Sequence, residues 1–311
     1  MVYETFLNTI RVLIQEKLGD SCEVRPVKVL KNNGTVLDGL TILSGSFPAA
    51  PTIYLNDLYK LHLQGTGLHI IAETILRSIA DSPVPPPDTI KQFTDYNLVR
   101  KKLAIRLLHA EKNKKLLSEL PWFPVLDLAL VFSIVVRTDT GDLYSCLVTE
   151  SHLNLWGITP GELKDEALAN APVILPPSLR TMAETIHIPE ESVPRVPPLF
   201  VLTNSAGIQG ASAILYPDVL QNVSATVNDD LVIIPSSIHE ILLLPERFAG
   251  SREELDQMVK DVNRMSVEPV DQLSDHVYFF RRDGRLITVP QGSCLATEST
   301  MKIPSAIAPA I

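Results

Sequence analysis

The amino-acid sequence predicts an α+β protein with a mainly antiparallel sheet, interspersed helices and a smaller N-terminal α/β unit. β-like runs follow one another in neighbouring pairs, and turns rich in Gly, Asn or Asp separate the members of several pairs. Helical segments are interspersed without regular βαβ alternation, so a doubly wound parallel sheet is the less favoured arrangement. A chain of 311 residues, at roughly 150 residues per domain, is expected to form two compact units.

Residues 1–82 predict an N-terminal α-β-β-α-α unit. Apolar residues recur at helical spacing over residues 2–18, and Gly19 follows where a left-handed cap is wanted. Two β-like runs, 23–30 and 37–43, flank an Asn-Gly pair that is typical of a hairpin. Residues 52–55 then lead into two helical segments, which a glycine separates.

A proline-rich segment follows this unit. Four prolines lie within residues 83–87, and such a segment favours an extended, semi-rigid conformation over a helix. We therefore expect a linker over 83–93, an α+β main domain over 94–289 and a loosely ordered tail over 290–311.

The first half of the main domain predicts a long helix from Thr94, its N-cap, to about Leu120. Residues 125–136 and 143–149 are then expected to form two strands of the main sheet. A capping box at Thr159 and Glu162 predicts a helix that ends before Pro172. Seven prolines make residues 172–198 largely a connector with one short helix over 179–186.

The second half of the main domain predicts mainly strands. A helix is expected after Pro217-Asp218, and a second capping box, Ser251 with Glu254, starts a helix to about Met265. Asp283-Gly284 is typical of the turn of a final hairpin. The expected strands cover these residues: 199–203, 211–215, 231–234, 241–244, 277–281 and 285–289.

Composition favours an unexported, cytoplasmic protein. The N-terminus lacks the charged-then-apolar order of a signal peptide, and the longest apolar stretch, of 12 residues, is shorter than the roughly 18 that a membrane span needs. Three distant cysteines argue against a disulfide framework and against a zinc site. A net charge of −9 gives no general attraction to nucleic-acid phosphates or anionic lipids.

Common cofactor motifs are absent from the sequence, so we predict no cofactor. The sequence contains no GxxxxGK[ST], GxGxxG, HExxH or GxSxG pattern. Without such a pattern, candidate sites have to be sought among clusters of polar residues.

The loop between two apolar runs at residues 236–240 contains the catalytic candidates Ser236, Ser237, His239 and Glu240. In a catalytic interpretation a serine is the nucleophile, His239 its base and Glu240 the group that orients the base. The favoured interpretation is structural, because serine and histidine side chains in tight connections usually bond to backbone groups.

A second polar cluster precedes Trp156. We expect Ser151 to cap a helical turn and Trp156 to pack in the core. A metal site would require the two polar loops to meet in space, and sequence spacing does not support it, so no metal is predicted. The ligands of such a metal site would be His152, His239, Glu150 and Glu240. Asp275-His276, before the final hairpin, is a weaker candidate site.

One face of the predicted long helix is basic. Seven Lys or Arg residues and a single acid lie between Arg100 and Lys115, so this face could bind an acidic protein or a nucleic acid. A solvated helix face is favoured instead, since the chain is acidic and no aromatic residues alternate with the bases. The predicted binding residues are Lys102, Arg106, His109 and His152. A protein partner is preferred, and nucleic acid is not favoured.

Several stretches of the chain together resemble a known family. The stretches are TIYLNDLY at 52–59, LDLALVF at 126–132, SHLNLWGIT at 151–159, VLTN at 201–204, GASAILYP at 210–217 and IPSSIHE at 234–240. They resemble an uncharacterised domain-of-unknown-function family of bacterial cytoplasmic proteins, found largely in gut-type Firmicutes. A remoter similarity links the chain to the YtpQ-like uncharacterised family. The resemblance covers most of residues 1–289 and implies no activity, catalytic residue or cofactor.

Taken together, these features favour a macromolecule-binding or regulatory module without catalysis. The alternative is a hydrolase or metal-dependent enzyme centred on the loop Ser236–Glu240. The two are distinguished by whether the polar groups of that loop converge in a concave pocket.

Overall fold

The chain forms two compact units, Met1–Thr94 and Asp95–Ile311, in a computed structural model. The structure describes the following residues: 1–44, 52–81, 93–137, 141, 143–187, 198–288 and 300–303. All strand pairs among them are antiparallel, which confirms the predicted α+β class. Most of the predicted linker lies outside the described residues. Within the described part of the chain, no helix is long and apolar enough to cross a membrane.

The first unit is a three-stranded sheet, of order β1-β2-β3, with helices packed on it. Its elements are α1 (Tyr3–Leu18), β1 (Cys22–Leu30), β2 (Val36–Ser44), β3 (Thr52–Tyr54), α2 (Asn56–Leu63) and α3 (Leu68–Asp81). The predicted opening helix and hairpin are confirmed. Asn33 and Gly34 adopt φ of 56° and 70° in the hairpin turn, which is why an Asn-Gly pair stands there. The strand β3 was not predicted, because its three residues are too few to show alternation.

The core of the first unit forms under α1. Phe6, Ile10 and Ile14 recur every four residues, so they lie on one helix face, and each is fully buried. They pack with buried residues of the sheet and of α3, among them Ile42 and Ile75. Burial of each such side chain contributes roughly 1.5–3 kcal/mol to folding.

The described part of the second unit contains seven α-helices, eleven strands and several short 3₁₀ helices. Its helices are α4 (Tyr96–Val99), α5 (Lys114–Leu117), α6 (Glu150–Trp156), α7 (Pro160–Ile174), α8 (Met182–Thr185), α9 (Val219–Val227) and α10 (Arg252–Ser266). Its strands are β4 (Leu103–His109), β5 (Trp122–Val125), β6 (Leu128–Arg137), β7 (Leu143–Leu147), β8 (Pro177–Thr181), β9 (Phe200–Asn204), β10 (Leu231–Pro235), β11 (Ile241–Pro245), β12 (Tyr278–Arg281), β13 (Leu286–Thr288) and β14 (Thr300–Lys302).

The strands of the second unit form two sheets, where the sequence predicted one main sheet. In the four-stranded sheet β6 is the central strand. It pairs with β4 along one edge, and along its other edge the first residues of β6 pair with β5 and the last residues pair with β7. The seven-stranded sheet has the order β14-β13-β12-β10-β11-β9-β8. The single apolar run predicted at 125–136 is split, because a two-residue turn separates β5 from β6.

The long helix predicted from Thr94 to Leu120 is wrong. The segment forms α4, the 3₁₀ helix Arg100–Lys102, strand β4, the 3₁₀ helix Glu111–Asn113 and α5. Six of the seven residues of β4 are buried, since α7 and the 3₁₀ helix Gly210–Leu215 pack against this strand. A strand buried on both faces reads as a continuous apolar run, which periodicity alone does not distinguish from a helix.

The strand predicted at 211–215 is also wrong, because Gly210–Leu215 is a fully buried 3₁₀ helix. A Cβ atom on Gly210 would lie 2.1 Å from Thr203 Oγ1 and 2.6 Å from the carbonyl oxygen of His239. Glycine is therefore required here for the close approach of three backbone segments.

Further differences concern the ends of elements. The helix α7 continues past Pro172 to Ile174, because a proline so near the helix end removes only one hydrogen bond before the helix stops. The strand β8 lies in the stretch predicted to be a connector, whose residues 188–197 are outside the described chain. The strand β14 lies within the tail that was predicted to be loosely ordered, and it pairs with β13.

Candidate functional site

The turn between β5 and β6 places a carboxylate inside the second unit. The turn consists of Leu126 and Asp127 only, because Val125 pairs directly with Leu128. Leu126 has a φ of 60°, an unusual conformation for a bulky residue. Both turn residues are only 4% exposed. Burial of the leucine side chain and the bonds of the carboxylate compensate for this backbone conformation.

Asp127 bonds to side chains that precede or begin β12, in the other sheet of the unit. Its Oδ1 accepts a hydrogen bond of 2.9 Å from the Tyr278 hydroxyl, and its Oδ2 lies 3.0 Å from His276 Nε2. The Ser274 hydroxyl donates a longer bond, of 3.4 Å, to the same Oδ2. We call this group, Asp127 with Ser274, His276 and Tyr278, the polar junction, because it joins the two sheets.

Asp127 and His276 form an ion pair in the polar junction. Burial lowers the pKa of His276, but the hydrogen bond and the charge of Asp127 outweigh it, so this pKa is raised. Burial raises the pKa of Asp127, but the bonds from His276 and Tyr278 hold it below its ordinary value. Burial, and then the charge of Asp127, raise the pKa of Tyr278, which therefore stays a donor. His276 Nδ1 lies 3.3 Å from the Val277 carbonyl oxygen, as expected of a doubly protonated ring.

A second set of polar contacts surrounds the junction. Asp275 Oδ2 accepts from Lys112 Nζ at 2.8 Å, and its Oδ1 accepts from the Asn263 amide at 2.9 Å. Burial raises the pKa of Asp275, but these bonds outweigh it and lower the pKa. His109, which is 8% exposed, accepts from the backbone N–H of Lys112, and burial lowers its pKa, so its ring stays neutral.

A cavity of about 310 Å³ lies beside Asp127. Its apolar wall includes Leu117 and Trp122, and Trp122 is 40% exposed. Asp127 lies on its wall together with two further charged residues, Glu111 and Lys114, which pair with each other. We call this space the Trp122 cavity. It presents an aromatic face, an aliphatic surface and a charged edge to an incoming group.

The members of the polar junction hydrogen-bond largely to one another. Both ring nitrogens of His276 contact acceptors, and both oxygens of Asp127 accept hydrogen bonds. A general base needs a free lone pair within hydrogen-bond reach of its substrate. The described members of the polar junction are occupied by one another, whereas the wall of the Trp122 cavity is open.

The structure brings the four catalytic candidates into the loop between β10 and β11, but neither serine hydroxyl bonds to the His239 ring. His239 Nδ1 accepts from the backbone N–H of Gln209 at 3.2 Å, and Nε2 lies 3.2 Å from Asp271 Oδ1. Ser237 Oγ accepts from the backbone N–H of His239, and Ser236 Oγ lies 3.3 Å from Glu240 Oε1. The residue that orients His239 is therefore Asp271 and not Glu240.

The predicted basic helix face is not formed, because its residues lie on other elements. Lys102 ends a 3₁₀ helix, and Arg106 lies on β4, where its guanidinium donates to Ser145 Oγ at 2.7 Å. His109 is buried in the contacts around the junction. Several bases of this segment are paired with acids: Arg100 with Glu166, Lys112 with Asp275 and Lys114 with Glu111.

His152 lies in the first turn of α6. Its Nδ1 accepts from the backbone N–H of Thr149 at 3.0 Å, so the N-cap of the helix is Thr149 and not Ser151. Burial lowers the pKa of His152, which keeps the ring neutral and able to accept. Its ring centre lies 5.2 Å from that of the buried Trp156. Among the described residues, no three His, Cys, Asp or Glu side chains are grouped to hold a metal ion.

Sequence reasoning missed Asp127, Tyr278 and Trp122 and gave His276 little weight. A signal for Asp127 does exist, because it is a charged residue inside a long apolar run. Acids are rarely buried without a partner, so a buried acid points to a partner elsewhere in the chain. The sequence gives no indication of which residue that partner is.

The fold defines the class of this protein: α+β, with antiparallel sheets in both units and a buried carboxylate–imidazole pair in the second. The chain belongs to DUF5688, a family of unknown function, whose model matches residues 3–282. No curated protein and no solved structure matches the chain. The family therefore covers both units without assigning a role to any residue.

Proposed function

We propose that this protein is a macromolecule-binding module without catalysis, and that it binds a protein partner at the Trp122 cavity. The observation that carries the proposal is the exposed tryptophan on the wall of a concave, partly apolar space. Tryptophan is enriched among the residues that dominate the binding energy of protein interfaces, usually where a pocket accepts a side chain of the partner. An apolar or aromatic side chain of the partner is the expected occupant.

The rigidity of the cavity wall supports this proposal. Asp127 lies on the wall, and its bonds to His276 and Tyr278 tie the β5–β6 turn to the neighbouring sheet. A site that is already rigid loses less conformational entropy when a partner binds. The net charge of −9 favours a partner with a basic surface, because opposite charges accelerate association.

A bacterial, cytoplasmic setting is part of the proposal. It is supported by the resemblance of the motifs to bacterial proteins and by the absence of paired cysteine spacings. Cys22 and Cys146 form no disulfide within the described part of the chain, and Cys294 lies outside it. No contact of the loop Ser236–Glu240 favours the hydrolase alternative, because both ring nitrogens of His239 are engaged by other groups.

Site-specific photocrosslinking in the native host tests the proposal. A benzoylphenylalanine at Ser118, an exposed residue of the cavity wall, is expected to give one discrete adduct with a protein. The same probe at Glu253, an exposed position on α10, should not give that adduct. In the probe-118 protein, Trp122→Ala should abolish the adduct, because it removes the aromatic anchor.

The matched control is Tyr144→Ala, an exposed aromatic of the same sheet that does not line the cavity. This variant should keep the adduct. Circular dichroism and thermal melting show whether each variant folds. An adduct that survives Trp122→Ala, or that forms equally from position 253, would contradict the proposal.

A further inference from the structure

A second cavity, of about 320 Å³, lies in the first unit between α1 and strands β1 and β2. Four helix residues line one side at positions i, i+3, i+4 and i+7, so they belong to one face of α1. They are Glu4, Leu7, Asn8 and Arg11. The volume is at the lower end of the range for small-molecule sites, which is about 300–1,000 Å³. A ligand of this cavity is therefore small.

Charges of both signs face the cavity. On the helix, Glu4 and Arg11 are separated by seven residues, which corresponds to roughly 10 Å along the axis at 1.5 Å per residue. On the sheet, Lys28 and Asp38 lie directly opposite each other, with Nζ 3.7 Å from Oδ1. Neither Glu4 nor Arg11 forms an ion pair with a side chain in the described part of the chain.

Hydrogen bonds to the side chain and to the backbone fix the position of Asp38. Its Oδ2 accepts a hydrogen bond of 3.0 Å from the Tyr3 hydroxyl, and its backbone N–H donates to Asn56 Oδ1. Burial, together with the bond to Asp38, raises the pKa of Tyr3 to about 12, so Tyr3 stays a donor at neutral pH. The side chain of Asp38 is 18% exposed, and the Lys28 ammonium, at 3.7 Å from Oδ1, is too far for a hydrogen bond, so a closer cation can compete for this oxygen.

Apart from the charged residues and Asn8, the lining is apolar. Leu7 from the helix, Val27 and Leu40 from the sheet and Leu55 beyond β3 face the same space. An apolar wall with separated charges of opposite sign matches a small zwitterion that has an apolar side chain. Arg11 offers two parallel donors to a carboxylate, and carboxylates such as Asp38 accept from an ammonium group.

We propose that the cavity between α1 and the β1–β2 hairpin binds an amino acid or short peptide with an apolar side chain. Its carboxylate pairs with Arg11 and its ammonium group with Asp38. This ligand site is independent of the protein-binding role, because its whole lining belongs to the first unit.

Isothermal titration calorimetry on the full chain tests the proposal, with L-leucine and L-alanyl-L-leucine as probes. At least one probe should bind with a Kd at or below about 1 mM, a modest affinity that two ion pairs and one apolar contact can supply. N-acetyl-L-leucine lacks the positive charge of that ligand and L-leucinamide lacks the negative one. Each should bind at least tenfold more weakly, because each loses one of the two ionic contacts with the site.

Arg11→Gln should weaken binding at least tenfold. Arg77→Gln, which changes an exposed arginine of α3 that does not line the cavity, should leave the Kd unchanged. The proposal is overturned if neither probe binds, if the blocked compounds bind as well as the zwitterions, or if a folded Arg11→Gln variant keeps the wild-type Kd. The comparison of blocked and free compounds needs no variant, so it stands even if Arg11→Gln does not fold.

Discussion

Asp127 and Tyr278 lie 151 positions apart in the chain, yet they share a hydrogen bond at the polar junction. Together with His276, Asp127 is a buried ion pair whose lone pairs and protons are nearly all satisfied. Removal of one partner from such a pair leaves an uncompensated buried charge, which costs about 3–5 kcal/mol. A single charge change at the junction is therefore expected to destabilise the second unit strongly.

Asp127→Asn is expected to lower the free energy of unfolding, and the effect depends on pH. Because the pKa of His276 is higher in the folded state than in the unfolded state, where it is near 6.5, protonated His276 stabilises the fold. This stabilisation is complete at a pH below the unfolded-state pKa and is lost as the pH rises through the folded-state pKa. Because the pKa of Asp127 is lower in the folded state than in the unfolded state, where it is near 3.8, ionised Asp127 also stabilises the fold. This stabilisation is complete at a pH above the unfolded-state pKa and is lost as the pH falls through the folded-state pKa. The difference between wild type and variant is therefore largest between these two values.

Urea denaturation from about pH 4 to pH 9 measures this difference, since the midpoint and slope give the free energy of unfolding. The control is Asp283→Asn, at an aspartate whose side chain is fully exposed, and it should differ little from wild type at any pH. If Asp127→Asn lowers the free energy of unfolding by the same amount near pH 5 and near pH 9, Asp127 and His276 do not form a charged pair.

At the scale of elements, the 3₁₀ helix Gly210–Leu215 holds several segments of the second unit together. It packs against β4 and β9. The Ser212 hydroxyl bonds to the Ile105 carbonyl oxygen, and Ala211 N–H bonds to that of Ile238. This helix also positions the loop Ser236–Glu240, because the backbone N–H of Gln209 bonds to the ring of His239.

Gly210→Ala should destabilise the protein by about 3 kcal/mol or more. Its Cβ would meet Thr203 Oγ1 and two backbone atoms at under 3 Å, and overpacking in a filled interior costs about 1–3 kcal/mol even where neighbours are free to move. Chemical denaturation gives the value. Gly161→Ala is the matched control: its nearest neighbour is 3.9 Å away, and in the first turn of α7 it should be neutral or stabilising. Equal stability of the two variants would be incompatible with the close packing at Gly210.

At the scale of the whole molecule, the chain divides into two compact units with a boundary at residues 94 and 95. Each unit has its own core: α1 and α3 cover the sheet of the first, and α7, α10 and the 3₁₀ helix Gly210–Leu215 pack within the second. The proline-rich segment 83–93 remains the proposed linker between them. Linkers of this composition are preferred sites of proteolysis.

Limited trypsin digestion tests this division. Lys91 is the only Lys or Arg within residues 82–92, so the earliest cut should follow Lys91 and release two resistant fragments. Mass spectrometry of the fragments identifies the cut, and Lys91→Gln should delay it. If trypsin first cuts inside either compact unit and leaves the bond after Lys91 intact, the assignment of residues 83–93 as a linker is wrong.

Local patterns let the sequence alone determine a large part of the fold. The α+β class, α1, the Asn-Gly hairpin and the capping boxes at Thr159 and Ser251 are all set by residues close together in the chain. Helical spacing, capping hydroxyls and positive-φ turns depend on neighbours within about four residues, so they can be read directly. The resemblance of several motifs to a domain-of-unknown-function family was likewise readable, and the family match supports it.

Only the tertiary structure decided the identity of β4, the division into two sheets, and the site. Burial on both faces hides the alternation of β4, and strand order depends on pairings between distant residues. The ion pair of Asp127 with His276 forms where two sheets meet, whereas the Trp122 cavity is lined by residues 110–127, a segment that the sequence predicted largely as helix. A contact across such a separation leaves no periodic trace in the sequence, because its partners are selected by packing and desolvation in the folded chain.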